Sequence, residues 1–209
     1  APGIATWIHH MGGIPAQGTD WIEPLLDQLG RLFLLIESFK RYDELPPEIQ
    51  ADLRAVLGWH MKRDEVVFYD TLTLKDTWIV TGRYAGEVHN SQQTSNGKRG
   101  LKTQRVWFRG LQSGRDALSL DFAFGDSLFE NHMLPGMAIE AEMNYYPSRY
   151  PIRAFINEKF SGEFDADAIE GESIIENIEN YAHALSENPW IQQFPFVLED
   201  VIPVNYENQ

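Results

Sequence analysis

The chain has 209 residues, 43% hydrophobic and 12% aromatic, enough apolar material for one substantial core and too much for a disordered segment. It has no cysteine and a formal net charge of -14, which excludes disulfide-stapled folds and thiolate zinc sites and opposes polyanion binding by the chain as a whole. No apolar run approaches the roughly 18–20 residues that span a bilayer, and the first residues lack a basic stretch followed by an apolar one and a cleavage site, so a cytoplasmic protein with no membrane partner is expected.

In chain order, the six histidines (His9, His10, His60, His89, His132, His183) are scattered, and none stands four residues from another with a carboxylate between. No metal site and no cofactor are therefore expected. Asp20-Trp-Ile-Glu23 resembles a capping box with Asp20 as N-cap, and Pro24 suits a first helical turn. Trp21, Leu25, Leu29, Leu32, Ile36 and Phe39 follow at helical spacing, with Leu26, Phe33, Leu34 and Leu35 widening the apolar stripe, so this helix is expected at the centre of the core. Pro46-Pro47 breaks the chain and opens a second helix carrying Ile49, Leu53, Val56 and Leu57, which Gly58 can end. The two predict a helical hairpin.

From Trp78 the period changes to two. Trp78, Val80, Tyr84 and Val88 are placed on one strand face, with Gly82 and Gly86 as bulge or bend positions; the polar stretch 89–100 is expected to be a long loop. In 105–125 (RVWFRGLQSGRDALSLDFAFG), two strands flank the turn pair Ser113-Gly114. Val106 and Phe108 share a face with Lys102 and Gln104. In the second strand Leu118, Leu120, Phe122 and Phe124 alternate with Ala117, Ser119, Asp121 and Ala123, predicting that the large side chains are the buried set. Met137 to Tyr145 forms a fourth strand with a wet face carrying Glu140 and Glu142, and Tyr150 to Ile156 a fifth. A loop through 163–173, a helix on Ile174, Ile175, Ile178, Tyr181, Ala182 and Leu185, and an extended segment 194–206 complete the chain.

Charge is unevenly spread. Residues 77–115 hold seven basic residues against Glu87 alone, and residues 158–209 hold twelve acids against Lys159 alone. The two segments either neutralise one another or leave a basic partner surface. Arg105, Trp107 and Arg109 alternate onto one strand face and Arg115 follows across the turn; guanidinium beside indole can stack and present forked donors to a carboxylate or phosphate. With Lys102 and Asp121 they make up the candidate binding set, and the alternative is that the arginines pair with Asp116, Asp121 or the acidic C-terminal segment. No nucleophile, paired-carboxylate or phosphate-loop motif supplies a catalytic group: Ser113 has no adjacent base, and Trp190 is expected as a core anchor.

The stretches 30–59, 105–125, 134–156 and 187–204 resemble the region downstream of the zinc finger in bacterial SWIM zinc-finger family proteins. The Cys and His ligands that define that finger have no counterpart here. The resemblance implies an accessory role, with a protein partner such as a MoxR-type ATPase or a von Willebrand factor A-domain protein, and nucleic acid only through a finger outside these residues. The expected fold is α+β: an N-terminal helical hairpin (1–70) on a curled antiparallel sheet or partial barrel with a C-terminal helix and final extended segment (71–209), in one compact unit. The expected function is a non-catalytic interaction domain, and the alternative is a small-molecule-binding or enzymatic barrel with Arg105, Arg109, Arg115 and Asp121 around an interior pocket.

Overall fold

The computed structural model describes residues 2–16, 18–66, 72–87, 101–125, 127–129, 133–160 and 169–202. The chain is α+β and divides into two compact units: Ala1–Leu72 with Tyr146–Pro151 and His183–Gln192, and Thr73–Tyr145 with Ile152–Ala182 and Gln193–Gln209. Among the described residues no helix is long and apolar enough to cross a membrane.

The first unit is helical, with α1 (Pro2–Gly13), α2 (Ile22–Lys40), α3 (Pro47–Val56) and the short α4 (Arg63–Val66). Sequence patterning does not announce α1, because Pro2, Gly3, Gly12 and Gly13 are poor helix formers. It forms on tertiary contacts: Ile4 and Trp7 pack against the core, and Trp7 Nε1–H donates to Gln28 Oε1 at 2.6 Å. Gly3 is required there, since a Cβ would collide with the backbone at Val56 and Leu57, whose carbonyl Gly3 N–H reaches at 3.2 Å. Leu35, Leu53 and Leu57 form the buried centre, flanked by Leu32, Ile49, Val56 and Trp190. Trp190 anchors as expected, its indole N–H donating to the Arg31 carbonyl at 3.1 Å.

Two expectations for α2 are corrected. Its N-cap is Trp21 rather than Asp20, and no side chain caps the first turn. Leu29 and Ile36, placed in the core stripe from their spacing, are exposed, because the packed face is the one carrying Leu35. α3 begins at Pro47 and is followed by Gly58 at φ 82°, as the breakers predict. Its Asp52 is buried and accepts the Arg149 N–H at 2.9 Å; burial pushes the carboxyl up to about 6 against the pull of the Ser148 and Arg149 hydrogen bonds.

The second unit is a five-stranded antiparallel sheet of β1 (Thr73–Glu87), β2 (Leu101–Gly110), β3 (Asp116–Phe124), β4 (Ala138–Tyr145) and β5 (Ala154–Phe160), in the order β3-β2-β1-β4-β5. The long β1 pairs with β4 along its first half and with β2 along its second. With five alternating strands the two edges run parallel, and they nearly close: Leu118 N–H donates to the Ile152 carbonyl at 2.8 Å and Leu118 bridges Arg153. The sheet is therefore nearly barrel-shaped. Trp78, Val80, Val106, Phe108, Ala141, Met143 and Tyr145 are buried, with the Trp78 and Tyr145 rings 6.5 Å apart.

The register overturns two face assignments. Between Val80 and Gly82 a bulge adds one residue to β1, so Arg83 and Ala85 fall on the Trp78–Val80 side and Tyr84 turns to the opposite face. The glycine signal at 82 marks the bulge, but a bulge also reverses every later side chain. In β3 the inner set is Ala117, Ser119, Asp121 and Ala123, whose partners across β2 are Phe108, Val106, Gln104 and Lys102. Of the large set, Leu118 is buried as expected, whereas Phe122 and Phe124 are 57% and 69% exposed. Facing Phe108 and Val106, small residues fit, and Leu or Phe at each of those positions would overfill the interior.

The C-terminal helix α5 (Ile174–Glu187) is where sequence predicts it, with a different face inward. Ile174, Ile175 and Ile178 are exposed, whereas Asn177 is buried and clasps the final extended segment, donating to Val197 O at 3.3 Å and accepting from Val197 N–H at 3.2 Å. Ser173 and Glu176 make the local cap, their reciprocal bonds holding Glu176 below the ordinary carboxylate value. Two loop expectations, 89–100 and most of 163–173, lie outside the described residues.

Candidate interaction site

The β2–β3 hairpin that carries the candidate set is held at its tip by a residue that sequence patterning passes over. Asp76, on β1 and nearly fully buried, accepts N–H groups from Thr77 at 2.7 Å, Gln112 at 3.0 Å and Ser113 at 2.9 Å. Gly110 lies so close to that carboxylate and to Ser113 Oγ that a Cβ would meet both. Gln112 returns a bond, its Oε1 accepting Thr77 N–H at 2.9 Å. An Asp just before the apolar run Trp78–Val80 is the signal by which this anchor could have been found.

The six candidate residues are distributed over three places. Arg105, Trp107 and Arg109 lie on the outer face of β2, half-buried, as alternation predicts. Lys102 and Asp121 are on the inner face, where Asp121 stands across from Gln104, itself fully buried and accepting Arg83 Nε–H at 2.8 Å. Arg115 sits past the turn with its guanidinium 5.8 Å from the Tyr145 ring centroid.

Arg109 is engaged within the fold. Its guanidinium contacts Asp116 at 3.2 Å and Glu172 at 2.8 Å, joining the hairpin to the acidic C-terminal segment. Burial works against the arginine charge, yet the two carboxylates more than offset it and hold Arg109 above its ordinary value. Burial dominates at Asp116 and, with Glu172 close by, pushes that carboxyl up to about 6 despite Arg109. Tyr145 donates its hydroxyl to the Asp116 carbonyl at 3.0 Å, and burial raises its phenol above the usual range.

Arg105 has a different setting. Across the outer face it stands between Tyr84 of β1 and Leu120 of β3, while Thr103, the next outward position, faces Phe122, and Leu101 faces Phe124. Trp107 lies across from Gly82, where a side chain would come into contact with the indole. Tyr84, Phe122 and Phe124 are thus exposed on the same outer face as Arg105 and the half-buried Trp107. Among the described residues no group of three or more His, Asp or Glu side chains could hold a metal ion.

The family model for the SWIM-associated four-helix bundle domain matches residues 1–57, which span α1, α2 and α3. That helical segment is similar to a SWIM-associated domain. This supports a SWIM-family protein, on the helical segment alone; the zinc finger itself is not shown, and the sheet that bears the candidate residues lies beyond the matched stretch. Of the stretches that resemble the family, 30–59 overlaps the match and the others fall outside it. No curated protein and no solved structure matches the chain.

Proposed function

We propose that this chain is a non-catalytic accessory module of a SWIM-family protein, acting in the cytoplasm, that binds a protein partner through the outer face of β1, β2 and β3. The observation that carries the proposal is the exposure of Tyr84, Phe122 and Phe124 on the same face as Arg105, on a sheet whose interior already has Trp78, Phe108 and Met143 as its core. Aromatic side chains with an arginine are the residues that dominate the energetics of protein interfaces, and monomeric surfaces rarely present them together without use. The partner class that the family resemblance implies is a MoxR-type ATPase or a von Willebrand factor A-domain protein, and the Arg105 side of the face suits an acidic patch on it.

The test is affinity capture from the native host with the full-length protein, followed by association kinetics with the captured partner. Replacing Tyr84 and Phe122 with Ser should abolish capture, and Arg105→Glu should slow association and flatten its salt dependence while leaving thermal stability unchanged. Unchanged capture and rates in all three variants would overturn the proposal.

One observation favours a second function, small-molecule binding inside the sheet. The inner face of β2 and β3 buries Gln104, Ser119 and Asp121 in a row, and Ser119 Oγ finds no hydrogen-bond partner among the described residues. Such a site would use Lys102, Gln104 and Asp121, since Arg105 and Arg109 are on the other face. A ligand co-purifying with the chain and lost on Ser119→Val would favour it over the outer face.

A further inference from the structure

α2 carries two apolar seams. One, through Leu32 and Leu35, packs into the helical core, with Leu25 half-buried on the same side. The other is Ile22, Leu26, Leu29, Phe33 and Ile36, at successive spacings of four, three, four and three, and every member is exposed, Leu26 and Phe33 to 66% and 61%. That spacing is the a/d repeat of a coiled-coil seam sustained over two heptads, about 21 Å of helix at 1.5 Å per residue. Scattered exposed apolar residues need no explanation, but a continuous stripe in register does.

The flanks of the seam say what kind of partner fits. On one side the neighbouring heptad positions are Leu25, Leu32 and Phe39, which lead into the packed face; on the other they are Glu23, Gly30 and Glu37. Nothing lies within 4 Å of where a Gly30 side chain would be, so a partner backbone can approach closely at the middle of the stripe. Glu37 bonds Lys40 at 2.6 Å in an exposed pair one turn apart, the weak kind that a competing cation displaces. A second copy of α2 is a poor occupant. Antiparallel pairing would set Glu23 and Glu37 against each other, and parallel pairing would set them against leucine and phenylalanine.

We propose that the seam Ile22, Leu26, Leu29, Phe33 and Ile36 docks one amphipathic helix of a protein partner, apolar at its own a and d positions and bearing Lys or Arg opposite Glu23 and Glu37. The site is separate from the outer face of the sheet and does not depend on it.

The probe is a synthetic peptide of three heptads with Leu at a and d and Lys at e and g, compared with the same peptide carrying Glu at e and g; like charges keep each one from pairing with itself. Fluorescence anisotropy with the whole chain should show the Lys peptide binding at least about tenfold more tightly than the Glu peptide. Leu26→Ser with Phe33→Ser should weaken the Lys peptide by about tenfold or more with no loss of thermal stability, since both positions are exposed. Glu23→Lys with Glu37→Lys should reverse the preference, which a general attraction of the acidic chain for cations would not do. Equal binding of the two peptides, no reversal, no binding at all, or a loss of stability in the double-serine variant would each overturn the proposal. So would sedimentation showing a dimer that Phe33→Ser dissociates, because the occupant would then be a second copy.

Discussion

Asp76 shows how much one side chain can organise here. Three backbone N–H groups from two segments converge on its carboxylate, so the tip of the hairpin is fixed to β1 through a single residue. Asp76→Ala should leave those donors to find water in a tight turn and lower stability by about 2 kcal/mol in denaturant titrations. Asp52 makes a different prediction. Its folded-state value, about 6, lies above its ordinary 3.8, so between those values the folded state holds a proton that the unfolded state has released. Stability should accordingly be highest below about pH 4, fall as pH rises to 6, and level off above, the Asp52 share being on the order of 2–3 kcal/mol. Asp116 titrates in the same window in the same direction, so Asp52→Asn should remove part of the slope, and a pH series of melts in the two proteins measures that part.

At the scale of elements, α2, α3, α5 and the strands are marked in the sequence, α1 is not, and the orientations are not. Spacing locates α2, α3 and α5, the proline pair opens α3, and alternation locates the strands, since those patterns follow from the helix and strand repeats themselves. Which face turns inward depends on what stands opposite. α2 is apolar on two sides and the core takes only one; β3 has large residues on one face and small ones on the other, and Phe108 and Val106 leave room for the small set. Leu35→Ala should therefore cost about 2–5 kcal/mol while Leu29→Ala costs about 0.5 or less, and Ala117→Leu should destabilise by about 1–3 kcal/mol where Phe122→Ser does not. Urea melts of these four variants check the assignment of both faces. Equal costs for Leu35 and Leu29 would remove it for α2.

At the scale of the molecule, charge is the informative quantity. The basic stretch 77–115 and the acidic stretch 158–209 meet in one observed network, Arg109 with Asp116 and Glu172, so part of the asymmetry is spent inside the fold. Arg109→Ala should leave the buried Asp116 without its cation, raising that carboxyl further, and the variant should lose more stability at pH 8 than at pH 5. Thermal melts at the two pH values test the sign. Arg105 is outside that network and serves as the control, since Arg105→Ala should show no such pH difference. The alternation of Arg105, Trp107 and Arg109 onto one face was legible from the strand period alone; that Lys102 and Asp121 face the other way follows from the same arithmetic, and their separation from the arginines is a consequence of it.

Composition, spacing and the turn residues were enough to establish an α+β chain with α2, α3, α5 and five strands, and the absence of thiolate chemistry, because those properties depend on neighbours within a few positions. The bulge that turns Tyr84 outward, the formation of α1 from a glycine-rich segment, the clasp of Asn177 on Val197 and the anchoring of the hairpin by Asp76 all depend on partners 20 to more than 50 residues away. Local pattern carries no record of such partners. The free energy that selects a face belongs to packing and to hydrogen bonds made across the fold, and only the folded chain brings those groups together.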